Sequence, residues 1–212
     1  MTMFLNLVFN KYFSPEAIAR RLVKCVLKSV NLIFGDEEVR RLIKFQSQSP
    51  EEQKRVLGEL HLSGIVLLNF ILEDLLNEKN YKEKTFWRKV EKIIPQLFRS
   101  YFKKNILSGY FRYRFSRLLE ARYEESYKDQ RELRDVLLQR HAEGLALNKR
   151  YLRIQTIAIN SLRHLRGGRA FSYDPLFKHI FIWLSSLEDK LNKMLNKSWW
   201  HWFVGKEVKD SV

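Results

Sequence analysis

Three of the four prolines in this chain stand directly after a serine or an aspartate. The three pairs are Ser14-Pro15, Ser49-Pro50 and Asp174-Pro175. A Ser or Asp side chain caps the free N–H groups of a first helical turn, and proline is tolerated at the first helical position. Each pair therefore predicts the start of a helix. Ser49 and Glu52 also have the spacing of a capping box.

Other helix breakers are scarce, because the 212 residues include only eight glycines. Asp36 and Thr85 give further start signals, and Gly35 and the pair Gly167-Gly168 give stop signals. Residues rich in Leu, Lys, Arg and Glu between these signals favour helix over strand. We therefore predict an all-α fold, a multi-helix bundle.

Two local features complicate this pattern. Pro95 lies inside an amphipathic segment and predicts a kink or the end of a helix there. From Phe111 to Arg117 aromatic residues and arginines alternate with a period of two, which taken alone is typical of a strand. Because the sequence on its C-terminal side is strongly helical, we predict that this segment is helical too.

Positive charge is concentrated in the second part of the chain. Residues 1–80 hold eleven Lys/Arg and ten Asp/Glu, whereas residues 81–212 hold twenty-eight and fourteen. The sequence thus predicts a near-neutral helical region, 1–80, and a basic helical region, 81–212, either as two units or as one continuous domain. The asymmetry favours a polyanion as partner, since solubility alone does not require it.

The segment Lys82–Arg117, here called the basic-aromatic stretch, carries eleven Lys/Arg and two Glu, with aromatic residues between them. No acidic residue occurs between Lys92 and Arg117. Cations displace the counterions of a phosphate backbone and flat rings stack on exposed bases. The predicted phosphate contacts in this stretch are Lys103, Lys104, Arg112, Arg114 and Arg117.

A second basic stripe follows helical spacing between residues 145 and 166. It contains no acid and is extended by arginines beside Gly167-Gly168. Its predicted nucleic-acid-binding residues are Lys149, Arg153, Arg163, Arg166 and Arg169. If the helices fold antiparallel, we expect the two basic segments to lie side by side as one groove.

Signatures of catalysis are absent from the sequence. It has no glycine-rich phosphate loop and no nucleophile elbow, and its five histidines lack the spacing of metal ligands. We expect neither enzymatic activity nor a metal or cofactor. The single cysteine, Cys25, excludes an intrachain disulfide and favours a reducing, cytoplasmic location.

These observations favour a non-enzymatic RNA- or DNA-binding protein, a subunit or accessory factor of a larger nucleoprotein complex. The sequence does not choose between RNA and DNA. Two alternatives stay open. In the first, the basic face binds an acidic protein partner. In the second, the protein is peripheral to a membrane and its aromatic cluster Trp199–Trp202, which otherwise belongs to the core, inserts at the lipid interface.

Overall fold

The structure, a computed structural model, describes residues 14–79, 81–104, 109–140, 148–168 and 173–195. Within these ranges it contains seven α-helices and no strand, which confirms the predicted all-α bundle. The helices are α1 (Pro15–Gly35), α2 (Glu37–Leu42), α3 (Pro50–Glu78), α4 (Tyr81–Lys104), α5 (Gly109–Arg140), α6 (Lys149–Leu165) and α7 (Pro175–Leu195), with a 3₁₀ turn at Phe45–Ser47. The cluster Trp199–Trp202 lies outside the described residues.

Most predicted helix starts are confirmed by their capping bonds. The side chain of Ser14 accepts a hydrogen bond from the Ala17 amide at 3.1 Å. Asp36, Ser49 and Asp174 accept equivalent bonds at 2.9, 3.2 and 2.9 Å. The prediction for Thr85 is wrong, because α4 already begins at Tyr81.

The predicted helix interruptions have different outcomes. The helix α4 continues through Pro95, so the proline does not end it. The alternating segment Phe111–Arg117 belongs to α5, as predicted. Gly167 and Gly168 end α6 with φ angles of 66° and 98°, a backbone region that favours glycine.

The helix α3 is the centre of the bundle. It packs against five helices, which surround it in the order α1, α4, α5, α6 and α7, and each of these also packs against its neighbours in that order. By length and composition α3 could cross a bilayer, but 83% of its most apolar window is buried by the surrounding helices. Burial of this kind is expected for a core helix that is apolar on most sides.

One hydrophobic core joins both charge regions of the chain. The core includes Val26 and Leu68 from residues 1–80 and Ile94, Leu162 and Leu187 from the basic region. The change of charge near residue 80 therefore falls at the short connection between α3 and α4, two helices that pack against each other. The charge composition changes at this connection, but the hydrophobic core continues across it.

At Gly64, α3 comes close to both α1 and α7. A Cβ atom at this position would lie 2.9 Å from Cγ1 of Val26 and 3.5 Å from Cδ2 of Leu187. The valine side chain is stiff and does not rotate freely out of the way. The α1–α3–α7 contact thus depends on the absence of a side chain at residue 64.

We expect Gly64→Ala to lower the free energy of unfolding by about 1–2 kcal/mol, because overpacking outweighs the roughly 1 kcal/mol that alanine gains in helix propensity. Urea denaturation measures this change. The matched control is Gly35→Ala, where nothing lies within 4 Å of the added Cβ. Equal stability of the two variants would contradict the close packing at Gly64.

Candidate nucleic-acid interface

The second basic stripe lies largely inside the bundle. Arg153 is only 8% exposed, and its guanidinium is hydrogen-bonded to the carboxylates of Asp74 in α3 and Glu188 in α7. Thr156 and Asn160 of the same stripe are buried as well. The structure therefore corrects the interpretation of Arg153 as a solvent-facing phosphate contact, since this side chain links three helices.

Arg163 and Arg166 are also engaged by acids from other elements. The Nη1 atom of Arg163 lies 3.0 Å from Oε1 of Glu125 and 3.6 Å from Oδ2 of Asp129, both in α5. Arg166 donates to both oxygens of Asp174 at 2.6 and 2.8 Å, which lowers the pKa of that carboxyl. Both arginines thus have carboxylate partners, although the stripe itself contains no acid.

Two members of the stripe remain. Lys149 is exposed at the start of α6, and Arg169 lies outside the described residues. In the order of helices around α3, α5 stands between α4 and α6. The cations of α4 therefore do not lie beside those of α6, and only the start of α5 could bring the basic-aromatic stretch next to the second basic stripe.

The rings of the basic-aromatic stretch are mostly core residues. Trp87, Phe98, Phe102 and Phe115 are at most 5% exposed and pack against α3 and neighbouring helices. Phe102 contacts Phe115 with ring centroids 4.8 Å apart, which joins α4 to α5. These rings hold the bundle together, and most cations of the stretch whose side chains are described lie on the outside.

Exposed cations gather on the outer sides of α1, α4 and the start of α5, a surface called here the cationic face. Its members are Arg20, Lys24 and Lys28 of α1, Arg88, Lys89, Lys92 and Arg99 of α4, and Arg117 of α5. Within the described residues none of the eight forms an ion pair. Among the described residues of α1 and α4, the exposed acidic side chains are Glu16 and Glu91.

Packing makes the three parts of the cationic face continuous. The helices α1 and α4 lie side by side, and Arg99 of α4 donates to the Ser116 hydroxyl of α5 at 3.0 Å. In α1, Ser29 accepts the indole N–H of Trp183 in α7, and Val26 points toward α3. Because two sides of α1 thus face α7 and α3, Arg20 and Lys24 lie on the remaining sides, which face α4 and solvent.

The predicted residues of the basic-aromatic stretch have unequal outcomes. Arg114 and Arg117 are exposed on α5. Lys103 and Lys104 lie in α4 and Arg112 lies in α5, but their side chains are outside the described part of the structure. The structure therefore adds Arg117 to the cationic face and leaves the contribution of the other four residues as a prediction.

Sequence reasoning missed the contribution of α1. Arg20, Lys24 and Lys28 recur every four residues opposite the apolar side of their helix, which is the signal that identifies them. Averaging over residues 1–80 concealed it, because acids such as Asp36 and Glu51 are at the starts of other helices. Position on the folded surface, and not regional charge, determines the interface.

Comparison with protein-family models, with curated proteins and with solved structures gives no match. Among the described residues no group of three or more His, Cys, Asp or Glu side chains is arranged to hold a metal ion. The function is therefore inferred from the chemistry of the described surface. The feature of that surface used for the inference is the cationic face.

Proposed function

We propose that the protein is a non-enzymatic RNA- or DNA-binding protein, a subunit or accessory factor of a larger nucleoprotein complex. In this proposal the cationic face contacts phosphates. The observation that carries it is the contrast between two sets of cations. The three arginines of α6 are partnered by carboxylates, whereas the eight cations of the cationic face have no ion-pair partner among the described residues. Such cations can displace the counterions of a polyanion.

The composition of the face supports nucleic acid over the two alternatives. Protein interfaces have an apolar or aromatic centre, and interfacial membrane helices have an apolar side beside their charges. Two large apolar side chains are exposed near this surface, Leu32 of α1 and Ile182 of α7. Both lie at the junction between those two helices. Between the cations of α4 the described exposed residues are polar or charged, as phosphate binding requires.

We expect Arg88→Glu with Lys92→Glu to weaken binding to any nucleic-acid sequence by about tenfold or more, because two phosphate contacts become repulsive. Fluorescence anisotropy with labelled RNA and DNA at low salt measures the affinity. The fold is expected to stay intact, since both side chains are exposed and unpaired. Circular dichroism verifies this.

The matched control is Lys178→Glu with Lys193→Glu, which changes the net charge equally at exposed positions on α7. We expect the control to bind within about threefold of the original protein, because distant charges are screened. Equal loss in both variants would refute a localised site. Binding to anionic vesicles or acidic peptides, without binding to nucleic acid, would replace the proposal with one of the alternatives.

A further inference from the structure

The way the described rings are buried bears on the kind of nucleic acid that fits the cationic face. Proteins that bind single strands without sequence preference stack bases on exposed aromatic side chains. In α4 the five rings with described burial, Phe86, Trp87, Phe98, Tyr101 and Phe102, are buried or half-buried in the core, whereas Arg88, Lys92 and Arg99 are exposed. Over its described side chains, the face therefore offers cations without a stacking surface.

The width of the cationic face is a second observation. Its cations belong to neighbouring helices, and packed helices have axes about 8–10 Å apart. Along α4, Arg88 and Arg99 are eleven residues apart, which is about 16 Å at 1.5 Å per residue. The cations thus form adjacent rows, whereas one flexible strand needs only a single track.

Rows with this separation suit the phosphates of two strands. The grooves of a DNA duplex are about 6 and 12 Å wide, so phosphates that face each other across a groove have a separation comparable to that of the rows on α1 and α4. Both surfaces are rigid, because the rows are on packed helices and the phosphates are held by base pairing. Binding then requires neither backbone to become ordered, and the entropy cost is confined to the Lys and Arg side chains.

From these observations we infer that the cationic face binds a double helix by the phosphates of both strands, and not a single strand by its bases. The inference rests on the proposed function and specifies its substrate. The row on α1, Arg20, Lys24 and Lys28, contacts one strand. The row on α4, Arg88, Lys92 and Arg99, contacts the other. Recognition is by shape and charge, independent of base sequence.

The test is a titration of the full chain with labelled duplexes of about 20 base pairs, of RNA and of DNA, and with unstructured strands of about 40 nucleotides that carry a similar number of phosphates. We expect a duplex to bind at least about fivefold more tightly than the matched strand at about 100 mM salt. Equal or tighter binding of the strand overturns the inference but leaves the proposed function intact. Failure of every probe overturns both.

Single substitutions test whether two rows take part. Lys24→Met on α1 and Lys92→Met on α4 each remove one exposed cation of a row. Each is expected to reduce the slope of log affinity against log salt for the duplex by about 0.9, the value for one phosphate contact. Lys178→Met on α7 is the control and should leave the slope unchanged. A loss of slope only in the α4 variant would contradict the two-strand arrangement.

Discussion

Replacing Arg153 with methionine is expected to lower the free energy of unfolding by about 3–5 kcal/mol, the usual cost of removing one partner from a buried ion pair. The reason is Glu188, which is 0% exposed and would keep its charge in the core, with only the guanidinium of Arg150 left nearby, at 3.9 Å. Asp74, the other carboxylate bound to Arg153, has a side chain that is 44% exposed and can be hydrated. Most of the cost therefore comes from Glu188.

Urea denaturation of the variant measures this loss. The control is Arg41→Met, which removes a two-bond pair with Glu38 on the surface of α2 and should leave the denaturation midpoint nearly unchanged. The double variant Arg153→Met with Glu188→Leu removes the stranded charge and should recover most of the lost stability. A single variant as stable as the original protein would show that the pair is not essential to the core.

The second large effect is expected on acidification. His61 of α3 is 1% exposed, and its Nδ1 atom lies 2.8 Å from the Leu57 carbonyl oxygen, while its Nε2 atom has no partner in the described residues. Burial lowers the pKa of His61 to about 4, because the charged imidazolium is poorly solvated beside the rings of Tyr101 and Phe102. The folded protein thus resists protonation that the unfolded chain accepts near pH 6.5.

Above about pH 6.5 both states are neutral at this residue and His61 has no pH-dependent effect. As the pH falls from 6.5 toward 4, the unfolded state gains a proton that the folded state does not. Folding stability should therefore fall by up to about 3 kcal/mol from this group, since each unit of pKa shift corresponds to about 1.4 kcal/mol. Stability measured in urea from pH 7 to pH 4 gives the profile.

The comparison variant is His61→Leu, which has similar volume and no titrating group. As the pH falls through this window, the free energy of unfolding of the leucine variant should increasingly exceed that of the original protein. The carboxyl groups titrate in both proteins and cancel in this comparison. Near pH 7 the two should differ little, because leucine also removes the unpaired Nε2 atom. Parallel pH profiles would contradict a neutral, buried His61.

Helix starts could be predicted from the sequence because their determinants are local. Ser14 and Ser49 each bond to an amide three residues away, so adjacent letters contain the whole interaction. Thr85 resembles such a start, but the chain is already helical from Tyr81 and the threonine lies within α4. Pro95 breaks only one backbone bond, to the carbonyl of Glu91, an exposed residue that water can reach.

The partners of the α6 arginines could not be predicted in this way. Asp74 and Glu188 lie 79 and 35 residues from Arg153 in the sequence, and the fold alone brings them together. A helical stripe of cations without acids of its own therefore looks the same in the sequence whether or not neighbouring helices supply carboxylates to it. The same limit applied to α1, whose cations join those of α4 only through packing.

The central position of α3 has a consequence for the order in which the protein is made. Synthesis completes α3 before it reaches α4, α5, α6 and α7, which are four of the five helices that cover it. During that interval an apolar helix of 29 residues is exposed beside the ribosome, where it can aggregate or enter a membrane. Biogenesis of this protein therefore depends on how soon the later helices arrive or on a chaperone that shields α3 until they do.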